Sequence, residues 1–212
     1  MIIPFEQIYK KYNMNIHGIL HVGAHKCEEL DAYIKHKIPK EKILWIEGNP
    51  DLVNDIKKND NDIFIINALI TDKDNEKQNF NIANNGESSS ILEFGTHAFN
   101  YHYIKYVDSK TIHSKRLETV YKENNIPENF ANFLNVDIQG AELLAFKSLG
   151  NVITNFDYIY TEVNSEEVYK GCALITDIDQ YLANYGFKRV ETVWVNTILA
   201  HLGWGDALYV KT

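Results

Sequence analysis

Short apolar runs alternate with stretches of helical periodicity along most of the chain. The runs are continuous in apolar character, which is typical of strands buried on both faces of a parallel sheet that helices cover. Five such strands are predicted, at residues 18–22, 42–46, 62–66, 133–136 and 158–163. The pattern therefore predicts a doubly wound α/β fold.

Helical signals follow several of these strands. Leu30, Tyr33 and Ile34 have the spacing of one helical face. Pro50 stands where the first turn of a helix accepts proline, and Asn49 before it has the chemistry of a helix cap. Residues 142–146 predict a further helix directly after the fourth strand.

The end of the chain has a different pattern. Two apolar runs, 187–195 and 207–210, are too close in sequence for a full crossover helix, which predicts an antiparallel pair. The chain is thus interpreted as one domain over residues 1–212, with a mostly parallel sheet closed by a C-terminal antiparallel hairpin. Residues 1–15 are assigned as an N-terminal helical lead-in, and the polar, irregular stretch 71–115 as an insert or lid.

Composition and charge narrow the class of protein. The chain has 212 residues, 45% of them hydrophobic and 24% charged, as in a single soluble domain. The 21 basic residues against 29 acidic ones give a net charge of −8, which disfavours a nucleic-acid partner. Two cysteines form neither a disulfide framework nor a zinc site. With no apolar run of membrane-spanning length and no signal peptide at the start, we expect a cytoplasmic protein without a membrane span.

The turn after the first strand and the end of the second strand predict a nucleoside-binding site. The glycine turn His21-Val22-Gly23-Ala24-His25 lets a ligand approach backbone N–H groups at a helix start. Glu47 follows Gly23 by 24 residues, close to the spacing at which an acidic residue binds ribose hydroxyls in this fold class. The full glycine-rich pyrophosphate turn is missing, so the pattern favours S-adenosylmethionine, which has no phosphate, over a nicotinamide cofactor.

Residues after the third strand extend this predicted site. Asn67-Ala68-Leu69-Ile70 combines an apolar surface with one amide, which suits a flat heterocycle such as adenine. A simple strand connection explains the same residues equally well.

Acidic and amide side chains follow the fourth and fifth strands. Asp137 and Gln139 end the fourth strand, and Glu162 and Asn164 end the fifth. The carboxyl ends of parallel strands meet at one edge of the sheet, so these side chains are expected to face one crevice. Asp137, Glu162 and Asn164 are candidate ligands of a divalent cation, Mg²⁺ or Mn²⁺. Alternatively, one of the two carboxylates acts as a base on an acceptor hydroxyl.

The closing hairpin contains a candidate sugar-binding residue. Trp204, between Gly203 and Gly205, offers a flat apolar face with a polar N–H, which suits stacking on a sugar. A tryptophan that only packs in the structure is the alternative interpretation.

The ordered set of motifs resembles the FkbM family of S-adenosylmethionine-dependent methyltransferases, from about residue 16 to residue 211. The motifs that carry the resemblance are His21-Val22-Gly23-Ala24-His25, Ile46-Glu47-Gly48-Asn49-Pro50, Asn67-Ala68-Leu69, Asn85-Gly86-Glu87-Ser88-Ser89-Ser90, Val136-Asp137-Ile138-Gln139-Gly140-Ala141-Glu142 and Trp204-Gly205-Asp206-Ala207. The sequence departs from the usual family pattern at His21, where Asp is common, and at Cys27, where Gly is common.

The resemblance implies a Rossmann-like, seven-stranded class I methyltransferase sheet and methylation of a hydroxyl group. It implies cofactor contacts from His21, Gly23, Ala24, His25, Glu47, Gly48, Asn49, Asn67, Ala68, Ser89, Asp137, Ile138 and Gln139.

Together these features predict an O-methyltransferase that acts on a sugar or glycan hydroxyl. Asp137 or Glu162 is the predicted base, with His113 or His97 from the insert as further candidates. The predicted substrate-binding residues are Ser88, Ser90, Asn164 and Trp204. The alternatives are a non-catalytic nucleoside- or sugar-binding protein and a methyltransferase of another small-molecule hydroxyl. The oligomeric state is left open.

Overall fold

The computed structural model describes residues 1–196 and 201–212. Its strands are β1 (Ile19–Val22), β2 (Ile43–Glu47), β3 (Ile65–Asn67), β4 (Leu69–Ile70), β5 (Lys77–Ala83), β6 (Tyr106–Lys115), β7 (Phe133–Val136), β8 (Tyr158–Asn164), β9 (Phe187–Asn196) and β10 (His201–Lys211). Its α-helices are α1 (Phe5–Lys11), α2 (Leu30–Lys35), α3 (Pro50–Asn59), α4 (His97–Asn100), α5 (Leu117–Glu123), α6 (Glu142–Ser148) and α7 (Ile175–Ala183).

A seven-stranded sheet in the order β3-β2-β1-β7-β8-β10-β9 forms the centre of the molecule. The five strands from β3 to β8 run parallel, whereas β10 pairs antiparallel with both β8 and β9. This arrangement confirms the predicted mostly parallel sheet with an antiparallel closing hairpin. Part of the connection between β9 and β10, residues 197–200, lies outside the described residues.

Every residue of β1, β2 and β7 is buried, as their continuous apolar runs predict. Alternate side chains of each strand enter two different cores. Leu20 and Leu44 pack on the side of α5, α6 and α7, and Ile19 and Ile43 pack on the side of α1, α2 and α3. Since helices cover both faces, apolar residues are required at successive positions and not only at alternate ones.

The segment 71–115 is more regular than its polar sequence predicts. It contains β5 and β6, which pair antiparallel, and β4 pairs parallel with β6 to complete a three-stranded sheet. Only Phe80 and Ala83 of β5 are fully buried. Because this small sheet leaves most of its side chains at least partly exposed, its strands have no apolar signature that marks them in the sequence.

One local prediction is also confirmed, the helix cap at Asn49. The Asn49 side chain caps α3 by accepting a hydrogen bond of 3.1 Å from the Asp51 N–H. Cys27 and Cys172 are both buried free thiols. Within residues 1–196 and 201–212, the structure has no helix with the length and apolar character needed to cross a membrane.

Candidate active site

A cavity of about 650 Å³ lies at the carboxyl ends of β1, β2, β7 and β8. These are the strand ends at which ligands bind in open α/β sheets. Side chains of the 85–104 segment form the opposite wall, among them Asn85, Ser88, His97 and Tyr101. The segment therefore faces the sheet edge across the cavity, at the position that the sequence predicted for a lid.

The glycine turn after β1 brings two strands of the sheet into close contact. Gly23 has a φ of +93°, and a Cβ on it would lie 1.8 Å from the Asp137 carbonyl oxygen. Only glycine fits this position, both in conformation and in space. The Gly23 and Ala24 N–H groups donate to the Ile46 carbonyl oxygen at 2.9 and 3.0 Å. The sequence predicted amides available to a ligand here, but the protein itself uses both.

Glu47 is fixed at the cavity by two backbone hydrogen bonds. Its Oε2 accepts from the His25 N–H at 2.9 Å, and its Oε1 accepts from the Asn49 N–H at 2.7 Å. The side chain is buried, and this burial raises the pKa of its carboxyl. Backbone N–H groups of the β1 turn and of the cap residue Asn49 thus hold the Glu47 carboxylate in a single orientation at the predicted ribose position.

The wall beyond Glu47 is apolar. Ala68, Leu69, Ile70, Leu52 and Phe80 line it. Asn67 is exposed and lies outside the lining, because its amide nitrogen donates to the carbonyl oxygens of Glu47 and Gly48 at 2.8 and 3.2 Å. The prediction that Asn67 contacts the cofactor therefore does not fit its position: it fixes the turn that contains Gly48. Phe80 comes from the small sheet, which sequence reasoning did not foresee.

His21 lies at the base of the cavity as a core residue. Its ring stacks on Trp45 at 4.5 Å between centroids, and its Nδ1 lies 3.1 Å from the Tyr33 hydroxyl oxygen. Burial lowers its pKa to about 4, so the ring is neutral at physiological pH. A neutral histidine thus occupies the position at which the family commonly has an aspartate.

His25 joins the β1 turn to the insert. Its Nδ1 lies 2.6 Å from Glu28 Oε1, and a Cβ on Gly86 would lie 2.9 Å from its Nε2. The positive φ of Gly86, +79°, and this close approach both favour glycine at the position.

Two carboxylates and an amide meet at the tips of β7 and β8. Gln139 Nε2 donates to Asp137 Oδ1 at 2.6 Å and to Glu162 Oε2 at 3.0 Å, and the Tyr169 hydroxyl donates to Gln139 Oε1. Burial, together with the charge of Asp206, raises the pKa of Asp137 to about 6. Burial and the neighbouring Asp137 raise the pKa of Glu162 well above its ordinary value. The pair thus titrates well above the range of exposed carboxylates.

Two further carboxylates belong to this cluster, and sequence reasoning missed their roles. Glu142 Oε1 accepts from the Ile138 and Gly140 N–H groups at 3.1 and 3.0 Å, and burial raises its pKa to about 7. Asp206 accepts from the Tyr160 hydroxyl and from the Ile2 N–H. An acidic residue in the first turn of a predicted helix, as Glu142 is, was the available signal for the first of them.

The predicted cation site gains no support from the geometry. Asn164 is fully buried, its amide has no hydrogen-bond partner, and it lies outside the cavity lining. The Gln139 amide already bridges the other two proposed ligands, Asp137 and Glu162. Among the residues that the structure describes, no group of three or more His, Cys, Asp or Glu side chains is arranged to hold a metal ion. Asn164 consequently also fails as a substrate contact.

The two candidate histidines have different surroundings. His113 is exposed on β6, opposite Lys77 in the small sheet, and is not part of the cavity lining, so its predicted catalytic role does not fit its position. His97 lines the cavity, is 5% exposed and stacks on Phe94 at 4.4 Å between ring centroids. Burial lowers its pKa to about 4.

An aromatic wall completes the cavity near the carboxylates. Trp204 lines it, and its indole N–H donates to the Tyr101 hydroxyl at 3.2 Å. Tyr103 and Tyr169 line it as well. Of these aromatic residues, Trp204 alone was predicted from the sequence, because the tyrosines are distant from it along the chain and no local pattern marks them.

The serines of the insert divide into two groups. Ser88 and Ser89 line the cavity, although the Ser89 hydroxyl donates to the Gly86 carbonyl oxygen at 2.6 Å. Ser90 lies outside the lining, and its hydroxyl donates to the Gln139 carbonyl oxygen at 2.7 Å. Ser90 therefore supports Gln139, whose φ of +55° is unusual for a residue other than glycine, and its predicted substrate contact does not fit.

The raised pKa of Glu162 in the acidic cluster leads to a prediction about folding stability. The raised pKa of Glu162 means that the folded state holds a proton that the unfolded state releases at lower pH. Folded stability therefore falls as the pH rises towards that raised pKa. We expect Glu162→Gln, which keeps an oxygen to accept from Gln139, to raise the melting temperature at pH 8, by about 2–4 °C for each kcal/mol of the removed electrostatic cost.

Thermal melts of both proteins between pH 5 and pH 8 measure this effect. The gain should increase with pH, whereas Glu128→Gln, at an exposed position before β7, should show no such trend. A Glu162→Gln variant that is less stable than the parent at every pH would contradict the proposed electrostatic cost.

The comparisons with known proteins agree with this geometry. A family model described as the methyltransferase FkbM domain matches residues 21–189, which is well over half of the chain. No curated protein sequence matches the chain.

Solved structures show the same fold. The FkbM methyltransferase from Methylobacillus flagellatus KT matches with a TM-score of 0.54 at 13% identity, over 92% of this chain and 43% of that chain. Aeropyrum pernix fibrillarin with natively bound S-adenosyl-L-methionine matches with a TM-score of 0.50 at 15% identity, over 92% and 66% of the two chains. TrmK from M. capricolum, in complex with S-adenosyl-homocysteine, matches with a TM-score of 0.50 at 11% identity, over 92% and 62%.

The chain thus spans less than half of the Methylobacillus protein. Its sheet order, its closing antiparallel hairpin and these matches identify the Rossmann-like fold of class I methyltransferases. With the family model matched over most of the sheet and of the cavity lining, the chain belongs to the FkbM family of S-adenosylmethionine-dependent methyltransferases.

Proposed function

We propose that this protein transfers a methyl group from S-adenosylmethionine to a hydroxyl of a sugar or glycan. The observation that carries the proposal is the joint presence of carboxylates and an aromatic wall in one cavity. Carboxylate oxygens accept hydrogen bonds from sugar hydroxyls, and aromatic rings stack on the apolar face of a sugar ring. Asp137, Glu162, Trp204 and Tyr101 provide these two kinds of surface.

The residues at the Glu47 end of the cavity fit the nucleoside part of the donor. The fixed Glu47 carboxylate suits the two ribose hydroxyls, because both of its oxygens are held in place by backbone N–H groups. Ala68, Leu69 and Phe80 provide an apolar surface for adenine. When bound, the donor supplies an electrophilic methyl group, which the acceptor oxygen takes as it loses its proton.

Asp137 is the proposed base for that proton. A sugar hydroxyl is a poor nucleophile at neutral pH, so transfer of its proton to a nearby carboxylate assists the reaction. With its pKa raised to about 6, the carboxyl of Asp137 is a stronger base than an exposed aspartate and is still ionised at pH 7. The hydrogen bond that Asp137 Oδ1 accepts from the Gln139 side-chain N–H holds the Asp137 carboxylate in place. The neutral His97 ring is the second candidate, since it lines the same cavity.

A methyl-transfer assay tests the proposed function. The protein is incubated with methyl-labelled S-adenosylmethionine and a panel of methyl glycosides, and products are read by label and by mass. We expect a sugar that is one methyl group heavier and an equal amount of S-adenosylhomocysteine. Tight donor binding without transfer to any glycoside would contradict the proposal and favour a non-catalytic binding protein or a different acceptor hydroxyl.

We also propose that residues 85–104 act as a lid. This segment forms the cavity wall that faces the strand tips, and loops in such positions order when ligands bind. We expect amide hydrogen exchange at residues 85–104 to slow by at least about fivefold when S-adenosylhomocysteine is added. Exchange in β7, which is buried in the sheet, serves as the unchanged reference. Equal exchange of the segment with and without ligand would count against a lid.

A further inference from the structure

The cavity has a strongly acidic lining. The carboxylates that line it come from the β1 turn, the ends of β2, β7 and β8, the insert and β10: Glu28, Glu29, Glu47, Glu87, Asp137, Glu162 and Asp206. Arginine and lysine are the side chains that usually bind phosphate or carboxylate groups of ligands. In the described lining neither is present, and the ammonium there, that of the Met1 N-terminus, lies 3.2 Å from Glu29 Oε1, one of the lining carboxylates. Residues 197–200, outside the described part of the chain, are Thr, Ile, Leu and Ala, so the sequence adds no arginine or lysine there.

Several backbone amides at the turns that border the cavity donate to the protein's own carboxylates. Glu142 accepts hydrogen bonds from the Ile138 and Gly140 N–H groups at the turn after β7. Glu47 accepts hydrogen bonds from the N–H groups of His25 and Asn49 at the turns after β1 and β2.

Two further backbone amides, one in the β1 turn and one in the N-terminal segment, also donate to carboxylates. Glu28 Oε2 accepts from the Lys26 N–H at 3.1 Å, and Asp206 Oδ2 accepts from the Ile2 N–H at 2.5 Å. Exposed amides in such turns are ready-made binding sites for phosphate. Here each of the amides named above already donates to a carboxyl group of the protein, so none of them is free to bind a phosphate.

We infer that the acceptor of this enzyme carries no phosphate group within the cavity, an inference that rests on the proposed function. The acceptor is then a sugar without phosphate, whose hydroxyls donate to the carboxylates while its ring packs on the aromatic wall. Sugars enter glycans from phosphate-activated donors by glycosyl transfer. A site that rejects phosphate acts on the sugar after that transfer, so a glycosyl transfer reaction must supply the acceptor.

Matched acceptor pairs test this inference. For glucose, galactose and N-acetylglucosamine, the methyl glycoside is compared with the sugar 1-phosphate and with the uridine diphosphate sugar in the same methyl-transfer assay. We expect kcat/KM for the methyl glycoside of the accepted sugar to exceed that of both phosphorylated forms by at least about 100-fold at low ionic strength, and the difference to narrow in higher salt.

A charge reversal at the cavity tests whether the lining carboxylates cause the rejection of phosphorylated sugars. Glu87 is exposed and lines the cavity from the insert. We expect Glu87→Lys to raise the ratio of kcat/KM for the sugar 1-phosphate to that for the methyl glycoside by at least about fivefold. Glu128→Lys makes the same change in net charge at an exposed position outside the cavity, and it should leave the ratio unchanged.

The outcomes separate this inference from the function on which it rests. Equal or faster methylation of a phosphorylated sugar overturns the inference and leaves sugar methylation standing. The same ratio for Glu87→Lys and Glu128→Lys also overturns it, because the rejection would then not arise from the cavity charge. Methylation of neither form contradicts the proposed function itself, and the inference with it.

Discussion

Asp137→Asn should lower kcat for methyl transfer by about 10²–10⁴-fold, because general base catalysis contributes rate factors of this size. The substitution keeps an oxygen that accepts from Gln139 Nε2, so the local geometry is expected to persist. The parent enzyme should gain activity as the pH rises through an ionisation near 6, where the Asp137 carboxyl loses its proton. The variant should lack this rise. Rates under saturating donor and acceptor between pH 5 and pH 8 measure both effects.

Two control measurements distinguish the loss of a catalytic base from damage to the site. Affinity for S-adenosylmethionine of Asp137→Asn should stay close to that of the parent enzyme. Its melting temperature should not fall below that of the parent, because the raised pKa of Asp137 means that its ionised form costs stability. Both results together rule out a collapsed site. His97→Asn removes the other candidate base from the same cavity. If His97→Asn abolishes the pH dependence while Asp137→Asn retains it, the base has been assigned to the wrong side chain.

Glu47→Gln should weaken S-adenosylmethionine binding by at least about tenfold. A hydrogen bond between a carboxylate and a ribose hydroxyl contributes about 1.5–3 kcal/mol, and the amide offers one acceptor oxygen where the carboxylate has two. Isothermal titration with the parent and the variant measures the loss. Unchanged affinity would remove Glu47 from the donor site.

Glu47 also accepts two backbone N–H groups, so its effect on the fold must be separated from its contact with the ligand. A double-mutant cycle does this: 5′-methylthioadenosine and its 2′-deoxy analogue are titrated against both proteins. The parent should bind the ribose form more tightly by about tenfold, and Glu47→Gln should show most of this preference lost. An equal preference in both proteins would indicate that Glu47 only holds the turns together.

The main sheet was predictable from sequence because its strands are buried on both faces. β1, β2 and β7 each need apolar residues at successive positions, and this requirement is visible as a continuous run. The small sheet was not predictable, since most side chains of β5 and β6 are at least partly exposed and the two strands are held by pairing with each other. A polar strand and a polar loop have the same composition.

The candidate site shows the same division between local and distant information. Gly23, Glu47 and Asp137 were found because each stands at a strand end, and the carboxyl ends of parallel strands always meet. The chain alone thus determined which sheet edge holds the cavity and three of the carboxylates that line it, Glu47, Asp137 and Glu162. It also placed His113 in the site and grouped Asn164 with the acidic pair, because sequence position cannot show on which sheet, or behind which wall, a side chain lies.

Only the tertiary structure decided what those residues contact. The bridge from Gln139 to Asp137 and Glu162, the occupation of turn amides by Glu47 and Glu142, and the aromatic wall each join segments separated along the chain. Such contacts arise where packing of the two cores brings turns together, and no local periodicity encodes them. The sequence therefore determined the fold and the sheet edge at which the cavity lies, while the packing of the turns and the insert determined the charge and shape of the cavity.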